Sequence, residues 1–227
     1  MFAFAAPVLL LRQPIHGRIA GFSSISLFMK QFVLVPLSEA DAAPLFDFEM
    51  ENRAFFEATI NARPASFYSR DGVAMAIAAA CSEAGEDRGY QFLLKDHGGR
   101  ILARANLSGV RRAHFQSAVL GYRVAESACG KGLASEAVRQ LLGIAFGTLG
   151  LKRIEADVRI DNAASIRVLV RNGFVQFGHS RRSFEVGGKW YDRLHFECHS
   201  PVHRIAQDES CCPTIATPHA MEIASPS

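Results

Sequence analysis

Hydrophobic positions follow two alternating periods along residues 31–197. In some stretches apolar residues alternate with polar ones or form short runs, which is typical of β-strands, and in others they recur every three to four residues, which is typical of amphipathic helices. Strands are predicted at 31–36, 90–95, 100–107, 116–124, 153–159, 174–186 and 189–197. Helices are predicted from Ser38 or Asp41 to Glu57, with or without a break, and over 71–85, 131–149 and 162–171. This order implies an α/β fold with a mixed sheet and helices on both faces.

The two ends of the chain differ in composition from the region between them. Residues 2–11 form an apolar run that is shorter than the ~20 residues a membrane-spanning helix needs. Arg12 follows the run, whereas a secretory signal carries its positive charge before it. Residues 1–28 are therefore interpreted as a disordered N-terminal extension, with an organelle-targeting segment as the alternative. Prolines interspersed with serine, threonine and alanine predict a disordered tail over 200–227, which leaves one domain at 29–199.

The composition excludes several classes of protein. Apolar residues make up 49% and charged residues 21%, as in ordinary globular chains, so a wholly disordered or collagen-like chain is excluded. The formal charge of +3 is too balanced to indicate a nucleic acid or a membrane as partner. The five cysteines are odd in number and show no CxxC spacing. We therefore expect no metal site, no disulfide framework and a reducing, cytoplasmic location.

A glycine-rich segment, Ala-Cys-Gly-Lys-Gly-Leu-Ala-Ser at 128–135, lies between a predicted strand and the first turn of a predicted helix. Small residues let the backbone approach a ligand, and the unpaired amides and the dipole of a helix start favour an anion, so a phosphate or pyrophosphate site is indicated. Ala125 and Gly132 break the Walker A pattern, and Ser135 replaces the third glycine of the dinucleotide-binding pattern. From spacing alone, a helix start without a ligand is an equal alternative.

Three blocks of sequence together carry a family resemblance. They are Gly-Tyr-Arg-Val-Ala-Glu-Ser-Ala-Cys-Gly-Lys-Gly-Leu-Ala-Ser-Glu-Ala-Val at 121–138, Leu-Lys-Arg-Ile-Glu-Ala-Asp-Val at 151–158 and Asp-Asn-Ala-Ala-Ser-Ile-Arg-Val-Leu-Val-Arg-Asn-Gly-Phe at 161–174. With these blocks the chain resembles the GNAT N-acetyltransferase superfamily, in particular the branch that acetylates the N-terminal alanine of ribosomal proteins. The resemblance extends over residues 32–197 and implies a single GNAT-type domain with a mixed, mostly antiparallel central sheet.

The resemblance implies acetyl-CoA as the co-substrate and places its binding site. In the family, an Arg/Gln-x-x-Gly-x-Gly/Ala loop binds the pyrophosphate through backbone amides, and here it falls on 129–134, with Cys129 in place of Arg or Gln. The strand before the loop separates from its neighbour and pairs with the pantetheine arm, and an N–H near Val124 polarises the thioester carbonyl. Asn162 contacts the arm, caps a helix, or does both. The implied cofactor-binding residues are Tyr122, Arg123, Val124, Cys129, Gly130, Lys131, Gly132, Leu133, Ala134, Ser135 and Asn162.

The resemblance also indicates which side chains take part in catalysis. Many members have a tyrosine that protonates the leaving thiol, and its position is Leu169 here. The ribosomal-protein branch lacks this tyrosine as well and uses the serine of Asn-x-x-Ser, which corresponds to Ser165; a local backbone hydrogen bond is the alternative role of Ser165. The glutamate base of that branch aligns with Phe184. Glu185 comes one residue later and is predicted on the opposite, solvated face of the strand.

The identity of the general base and of the acceptor is less defined. Glu49, Glu51 and Glu57 lie on the early helices that border the acceptor site in this fold, and each is interpreted as an ordinary exposed carboxylate. The favoured acceptor is a protein N-terminal α-amine, with a ribosomal protein as the family-implied example. Its pKa near 8 leaves a useful neutral fraction, so a weak base or a water chain suffices. Alternatives are a small-molecule amine, a non-catalytic acyl-CoA-binding module and a nucleotide-specific phosphate-binding protein.

Other features have ordinary interpretations. The dibasic pairs at 111–112 and 181–182 are interpreted as solvated surface, with a contact to ribosomal RNA or to an acidic substrate as the alternative. No direct contact with nucleic acid or membrane is predicted. The aromatic pair at 190–191 fits an acceptor groove, a core or a dimer contact. The sequence leaves a monomer and a homodimer equally open.

Overall fold

A computed structural model describes residues 32–58 and 60–201. The predictions for residues 1–28 and for the tail beyond residue 201 lie outside these ranges. Within the described residues, seven strands and five α-helices follow one another in the predicted order. The strands are β1 (Val33–Pro36), β2 (Tyr90–Lys95), β3 (Ile101–Arg111), β4 (Ser117–Val124), β5 (Arg153–Arg159), β6 (Val175–Val186) and β7 (Lys189–His199). The helices are α1 (Ala42–Glu51), α2 (Arg53–Glu57), α3 (Arg70–Gly85), α4 (Leu133–Gly143) and α5 (Ala163–Arg171).

All seven strands belong to one sheet in the order β1-β2-β3-β4-β5-β7-β6. Every neighbouring pair is antiparallel except β4 and β5, which are parallel. The predicted mixed, mostly antiparallel sheet is confirmed. The pairing of β4 with β5 runs from Ser117↔Arg153 to Val119↔Glu155 and stops there. The last residues of β4 therefore diverge from β5, which opens one edge of β4 in the middle of the sheet.

Helices cover both faces of the sheet. Successive side chains of a strand point to opposite faces, so each strand contributes residues to both helical layers. On β3, Ala103 and Ala105 are buried, and α4 packs against β1, β3 and β4. Arg104 lies between these alanines and points to the other face, where it contacts Glu49 of α1. α3 lies against α1 and β2. The face under α4 is therefore apolar, whereas the face under α1 carries charged side chains.

The helix predicted over 131–149 has two parts. α4 buries an apolar stripe against the sheet and ends at Gly143. Residues 144–148 continue as a π-helical turn, in which the amide of Leu149 donates to the carbonyl of Ile144 at 2.9 Å. Gly150, with a φ of +66°, follows it as predicted. A π-helical turn contains one residue more than an α-helical turn, and a spacing of three to four does not reveal it.

Asn52 interrupts the first helical region and separates α1 from α2. Its buried side chain donates from Nδ2 to the carbonyl of Phe48 at 2.8 Å, and its Oδ1 accepts the amide of Glu126 at 2.8 Å. Glu126 begins the short turn between β4 and the glycine-rich segment. The break between α1 and α2 therefore helps to position the loop that follows β4.

Candidate active site

The glycine-rich segment connects β4 to α4 through backbone conformations that favour glycine. Gly130 and Gly132 have φ values of +74° and +78°, and a Cβ at either position would meet no atom within 4 Å. The amide of Glu136 donates to the carbonyl of Gly132 at 3.1 Å. The amides of residues 133–135 precede this bond and have no acceptor within the helix. The segment thus combines open space with amide donors at a helix start, as an anion site requires.

The predicted site residues lie around one cavity of about 770 Å³. Its wall includes the glycine-rich segment, the end of β4 and the first turns of α5. Lys131 is the predicted contact that does not line it, and its Nζ donates to the carbonyl of Ser127 at 2.8 Å. The predicted residues in the wall are Tyr122, Arg123, Val124, Cys129, Gly130, Gly132, Leu133, Ala134, Ser135, Asn162 and Ser165. The fold therefore brings three separate segments of the chain to one cavity.

A smaller cavity of about 210 Å³ occupies the gap between the diverging strands β4 and β5. Gly121 and Tyr122 line it from β4, and Ala156 lines it from β5. Asn162 and Ser165 border both cavities. An extended group in this gap would lie beside the open edge of β4, where it could form hydrogen bonds like those of an added strand.

Asn162 and Ser165 stand at the start of α5. Asn162 is the N-cap, and its Oδ1 accepts the amide of Ser165 at 3.0 Å. The Oγ of Ser165 lies 2.7 Å from the hydroxyl of Tyr122, a contact that sequence reasoning did not predict. Burial raises the pKa of Tyr122 and outweighs the opposite effect of the Ser165 hydrogen bond. The Tyr122 hydroxyl therefore stays protonated near neutral pH and can donate to Ser165.

The two positions to which the resemblance assigns an acid and a base are apolar here. Leu169 is buried in the core, and Phe184 borders the smaller cavity. The pairing of β6 with β7 is irregular between Ser180 and Phe184, but Glu185 lines neither of the two cavities and is exposed. The predicted solvent exposure of Glu185 is confirmed.

The prediction that Glu49 is an exposed carboxylate is wrong. Glu49 is 1% exposed, and three guanidinium groups surround it. It contacts Arg104 directly, Nη1 of Arg123 lies 3.3 Å from its Oε2, and Nε of Arg63 lies 4.0 Å from the same oxygen. Arg104 and Arg123 are direct cross-strand partners on β3 and β4. Two like charges in this position repel each other, and the carboxylate from α1 compensates for the repulsion.

Glu51 and Glu57, the other two carboxylates that were predicted to be exposed, are not buried as Glu49 is. The side chain of Glu51 is 65% exposed. The Glu57 carboxylate accepts a hydrogen bond from Nε of Arg53 at 2.9 Å. Hydrogen bonds from Arg53 and Tyr68 lower the pKa of Glu57 below its ordinary value. Neither side chain lines the two cavities.

A polar chain that sequence reasoning missed crosses the last three strands of the sheet. Oδ1 of Asp157 lies 2.6 Å from Nδ1 of His195, and Nε2 of His195 lies 2.5 Å from Oγ of Ser180. Asp157 also pairs with Arg193 and borders the smaller cavity. The three hydrogen-bonded side chains come from β5, β7 and β6, which become neighbours only in the sheet. No local spacing could have signalled this cluster.

In the part of the chain that the structure describes, no group of three or more His, Cys, Asp or Glu side chains could hold a metal ion. His195 and His199, four residues apart on β7, pair separately with Asp157 and Glu197. None of the described helices is long and apolar enough to cross a membrane.

A mixed sheet in which β4 separates from β5 beside a glycine-rich helix start defines the class of GNAT acetyltransferases. A family model for the acetyltransferase (GNAT) domain matches residues 31–175, and the chain belongs to this family. The fold and the family thus agree on an acetyltransferase.

Individual relatives support the same class. The chain is 32% identical over 164 residues to the "Probable N-acetyltransferase YjcK" of Bacillus subtilis (strain 168), covering 72% of this chain and 91% of YjcK. It is 27% identical over 171 residues to the ribosomal protein uS5 alanine N-acetyltransferase of Escherichia coli (strain K12), covering 75% and 88%. The solved structure of Mycobacterium smegmatis RimJ in complex with CoA-disulfide is similar with a TM-score of 0.69 and 27% identity, covering 74% and 82%. The protein is an N-acetyltransferase of the GNAT type.

Proposed function

We propose that the protein transfers the acetyl group of acetyl-CoA to a protein N-terminal α-amine. The observation that carries this proposal is the cavity that joins the glycine-rich helix start, whose amides suit an anion, to the open edge of β4. The similarity to an enzyme named for the alanine of ribosomal protein uS5, over three quarters of the chain, supports a protein N-terminus as the acceptor.

The residues of the glycine-rich segment and of the cavity wall around it fit acetyl-CoA. The amides of 133–135 and the open backbone at Gly130 and Gly132 would hold the pyrophosphate. Arg167 and Arg171 line the same cavity from α5 and add positive charge. Cys129 supplies no charge there, because burial and the nearby carboxylate of Glu126 raise the pKa of its thiol. Since the main chain makes the phosphate contacts, we expect the cysteine to weaken binding and not to abolish it.

The chemistry follows from groups beside the open edge of β4. When bound, acetyl-CoA would supply an acetyl thioester for attack by a neutral amine. The N–H of Val124 would donate to the carbonyl oxygen as negative charge develops on it. A donated hydrogen bond from Tyr122 to Ser165 would leave the Ser165 hydrogen available to the departing thiolate. The amine proton would pass to solvent water, since an α-amine with a pKa near 8 needs no strong base.

The first test is thermal unfolding of the full chain with acetyl-CoA and with CoA. Ligand at about 100 times its dissociation constant adds roughly 2.7 kcal/mol, which raises the melting temperature by several degrees. Gly132→Glu would place a carboxylate where the pyrophosphate is expected and should abolish the shift. Gly143→Glu is the control, because Gly143 is exposed, has an ordinary φ of −59° and meets nothing within 4 Å of a Cβ.

The second test measures thiol release with a panel of N-terminal peptides and small amines. Turnover of peptides is the expected result. Turnover restricted to small amines would contradict the proposed acceptor, and binding of acetyl-CoA without any transfer would identify a non-catalytic acyl-CoA-binding module. Absence of a thermal shift in the first test would contradict the proposed use of acetyl-CoA altogether.

A further inference from the structure

The larger cavity reaches both faces of β4. Neighbouring side chains on a strand point to opposite faces, so Tyr122 points toward Ser165 of α5, and Arg123 points toward Glu49 of α1. The glycine-rich segment lines one part of the cavity. We call the part that is lined by Arg63, Arg104 and Arg123 the arginine end.

The arginine end carries an excess of positive charge. Its three guanidinium groups share one carboxylate, that of Glu49, which leaves two positive charges uncompensated within the cluster. Among the described residues that line the cavity there is no aspartate or glutamate. The polar neighbour of the cluster is Gln91, whose side chain is a neutral amide. Its Oε1 accepts a hydrogen bond from Nη2 of Arg104 at 2.8 Å.

The Nε of Arg63 in particular lacks an acceptor. This nitrogen is buried and has no hydrogen-bond partner among the residues that the structure describes, since the Glu49 carboxylate lies 4.0 Å away. The guanidinium stacks on the ring of Phe67 with a centroid distance of 4.3 Å, which holds it in place. A buried N–H without an acceptor is unfavourable, so an anion that accepts a hydrogen bond from this group would be stabilised.

Burial, and to a smaller degree the neighbouring charges, lower the pKa values of two arginines in the cluster. Burial lowers the pKa of Arg123 to about 10. Burial and the charge of Arg104 also lower the pKa of Arg63. Both shifts have the direction expected for guanidinium groups that are partly removed from water and lie close to one another.

The arginine end is adjacent to the expected position of the reacting amine. Arg123 and Val124 are consecutive on β4, and successive strand residues are ~3.3 Å apart along the strand. Phe55, Phe56 and Ile60 also line the cavity, and the Arg123 guanidinium lies 5.0 Å from the centroid of the Phe56 ring. The site therefore suits a short apolar chain that carries an anionic group within a few bonds of the acceptor nitrogen.

We infer that the acceptor amine carries a carboxylate or phosphate group near its nitrogen, which the arginine end binds. This inference rests on the acetyl transfer in the proposed function, and it holds for a peptide acceptor or for a small-molecule acceptor. The acidic group could belong to one of the first residues of a peptide or to a small amine. Cationic acceptors such as polyamines should be disfavoured, because they would bring further positive charge next to the cluster.

The test compares acceptors that differ only in charge. Peptides of the form Ala-Xaa-Gly-Ser with Glu, Gln or Lys as Xaa should show the highest kcat/KM for Glu, by about tenfold over Gln, and the lowest for Lys. Free glutamate against glutamine, and spermidine, form the small-molecule arm. A preference seen only with peptides or only with amino acids identifies the source of the acidic group. Equal kcat/KM for Glu and Gln, or a preference for Lys or spermidine, would overturn the inference.

Variants of Arg63 test the residue itself. Arg63→Gln should reduce the preference for Glu over Gln to about twofold and leave the KM for acetyl-CoA unchanged, and Arg63→Glu should shift the preference toward Lys. Arg53→Gln is the matched control, because Arg53 pairs with Glu57 and does not line the cavity. Identical acceptor preferences for the Arg63 and Arg53 variants would contradict the assignment.

A binding measurement separates this inference from the proposed function. The N-acetylated Glu and Gln peptides are added to the full chain, with and without CoA, and thermal stabilisation is measured. A larger shift with the Glu peptide, lost in Arg63→Gln, supports the arginine end even if no amine is acetylated. Acetyl transfer with equal shifts for both peptides would leave the proposed function intact and remove the inference.

Discussion

The hydroxyls of Tyr122 and Ser165 lie 2.7 Å apart in the cavity wall although 43 residues separate them in the chain. The Oδ1 of Asn162 accepts a hydrogen bond from the backbone amide of Ser165 at 3.0 Å, and the Tyr122 hydroxyl contacts the Oγ of Ser165. Because burial keeps Tyr122 protonated, the tyrosine is the natural donor of this pair. Tyr122 would thus be a positioning residue for Ser165, in addition to its expected backbone contact with the pantetheine arm.

A double-mutant cycle tests this pair. Ser165→Ala should lower kcat about tenfold with little change in the KM for acetyl-CoA, because the thiolate loses a hydrogen bond that forms as it departs. Tyr122→Phe should act in the same direction but more weakly, and the double variant should resemble Ser165→Ala alone. Thiol-release kinetics provide the measurement, with the exposed Ser82→Ala as control. Additive effects of the two substitutions would show that they act independently.

At the scale of elements, the side chain of Arg112 connects three segments of the fold that lie between helices and strands. Asp87 lies between α3 and β2 and accepts two hydrogen bonds from Arg112, at 2.5 and 2.6 Å. Arg112 also donates from Nη1 to the carbonyl of Leu149 at 2.7 Å, at the end of the π-helical turn. The Arg112 and Tyr90 hydrogen bonds lower the pKa of Asp87 to about 2.

The stability of the fold should depend on this carboxylate at acid pH. Because the pKa of Asp87 is lower in the folded chain than its ordinary value of 3.8, the pair stabilises the fold above that pH and loses its effect as the pH falls toward about 2. The contribution should be below about 1 kcal/mol, since the side chain is 41% exposed. Urea unfolding at pH 6, 4 and 3 measures it.

Two variants identify the source of that pH dependence. In Asp87→Asn the difference in unfolding free energy from the natural chain should be constant at neutral pH and shrink between pH 4 and 3. Arg112→Gln should remove the same pH-dependent part from the other side of the pair. A difference that stays constant down to pH 3 would show that the carboxylate is not held by Arg112.

At the scale of the whole molecule, Glu49 joins the helical layer to the sheet. It lies on α1, and its partners Arg104 and Arg123 lie on β3 and β4, 55 and 74 residues away in the chain. One carboxylate thus holds together the two layers that border the arginine end. A buried charge with such partners is difficult to replace by a neutral group.

Substitution of the two glutamates of α1 measures this connection. Glu49→Gln should lower the unfolding free energy by about 3 kcal/mol, because three guanidinium groups lose their shared counter-ion. Glu51→Gln, on the same helix but 65% exposed, should change it by less than about 0.5 kcal/mol. Urea unfolding at neutral pH gives both values. Equal midpoints for the two variants would mean that the cluster does not contribute to stability.

The order of strands and helices, and the glycine-rich segment at the start of α4, could be predicted from the sequence. Both depend on residues close together in the chain: the period of apolar positions, and the need for glycine at Gly130 and Gly132 where φ is positive. The family resemblance added the candidate residues Ser165 and Asn162, and the fold places both in the cavity wall. The π-helical turn escaped prediction because its hydrogen bonds change without a change in composition.

The arginine end and the hydrogen-bonded side chains of Asp157, His195 and Ser180 were decided by the tertiary structure alone. Which carboxylate is buried depends on which helix lies over the sheet, and which side chains meet depends on strand order and register. Glu49 resembles any helical glutamate until β3 and β4 place Arg104 and Arg123 opposite it. Contacts of this kind join residues far apart in the chain, so local patterns carry no signal for them.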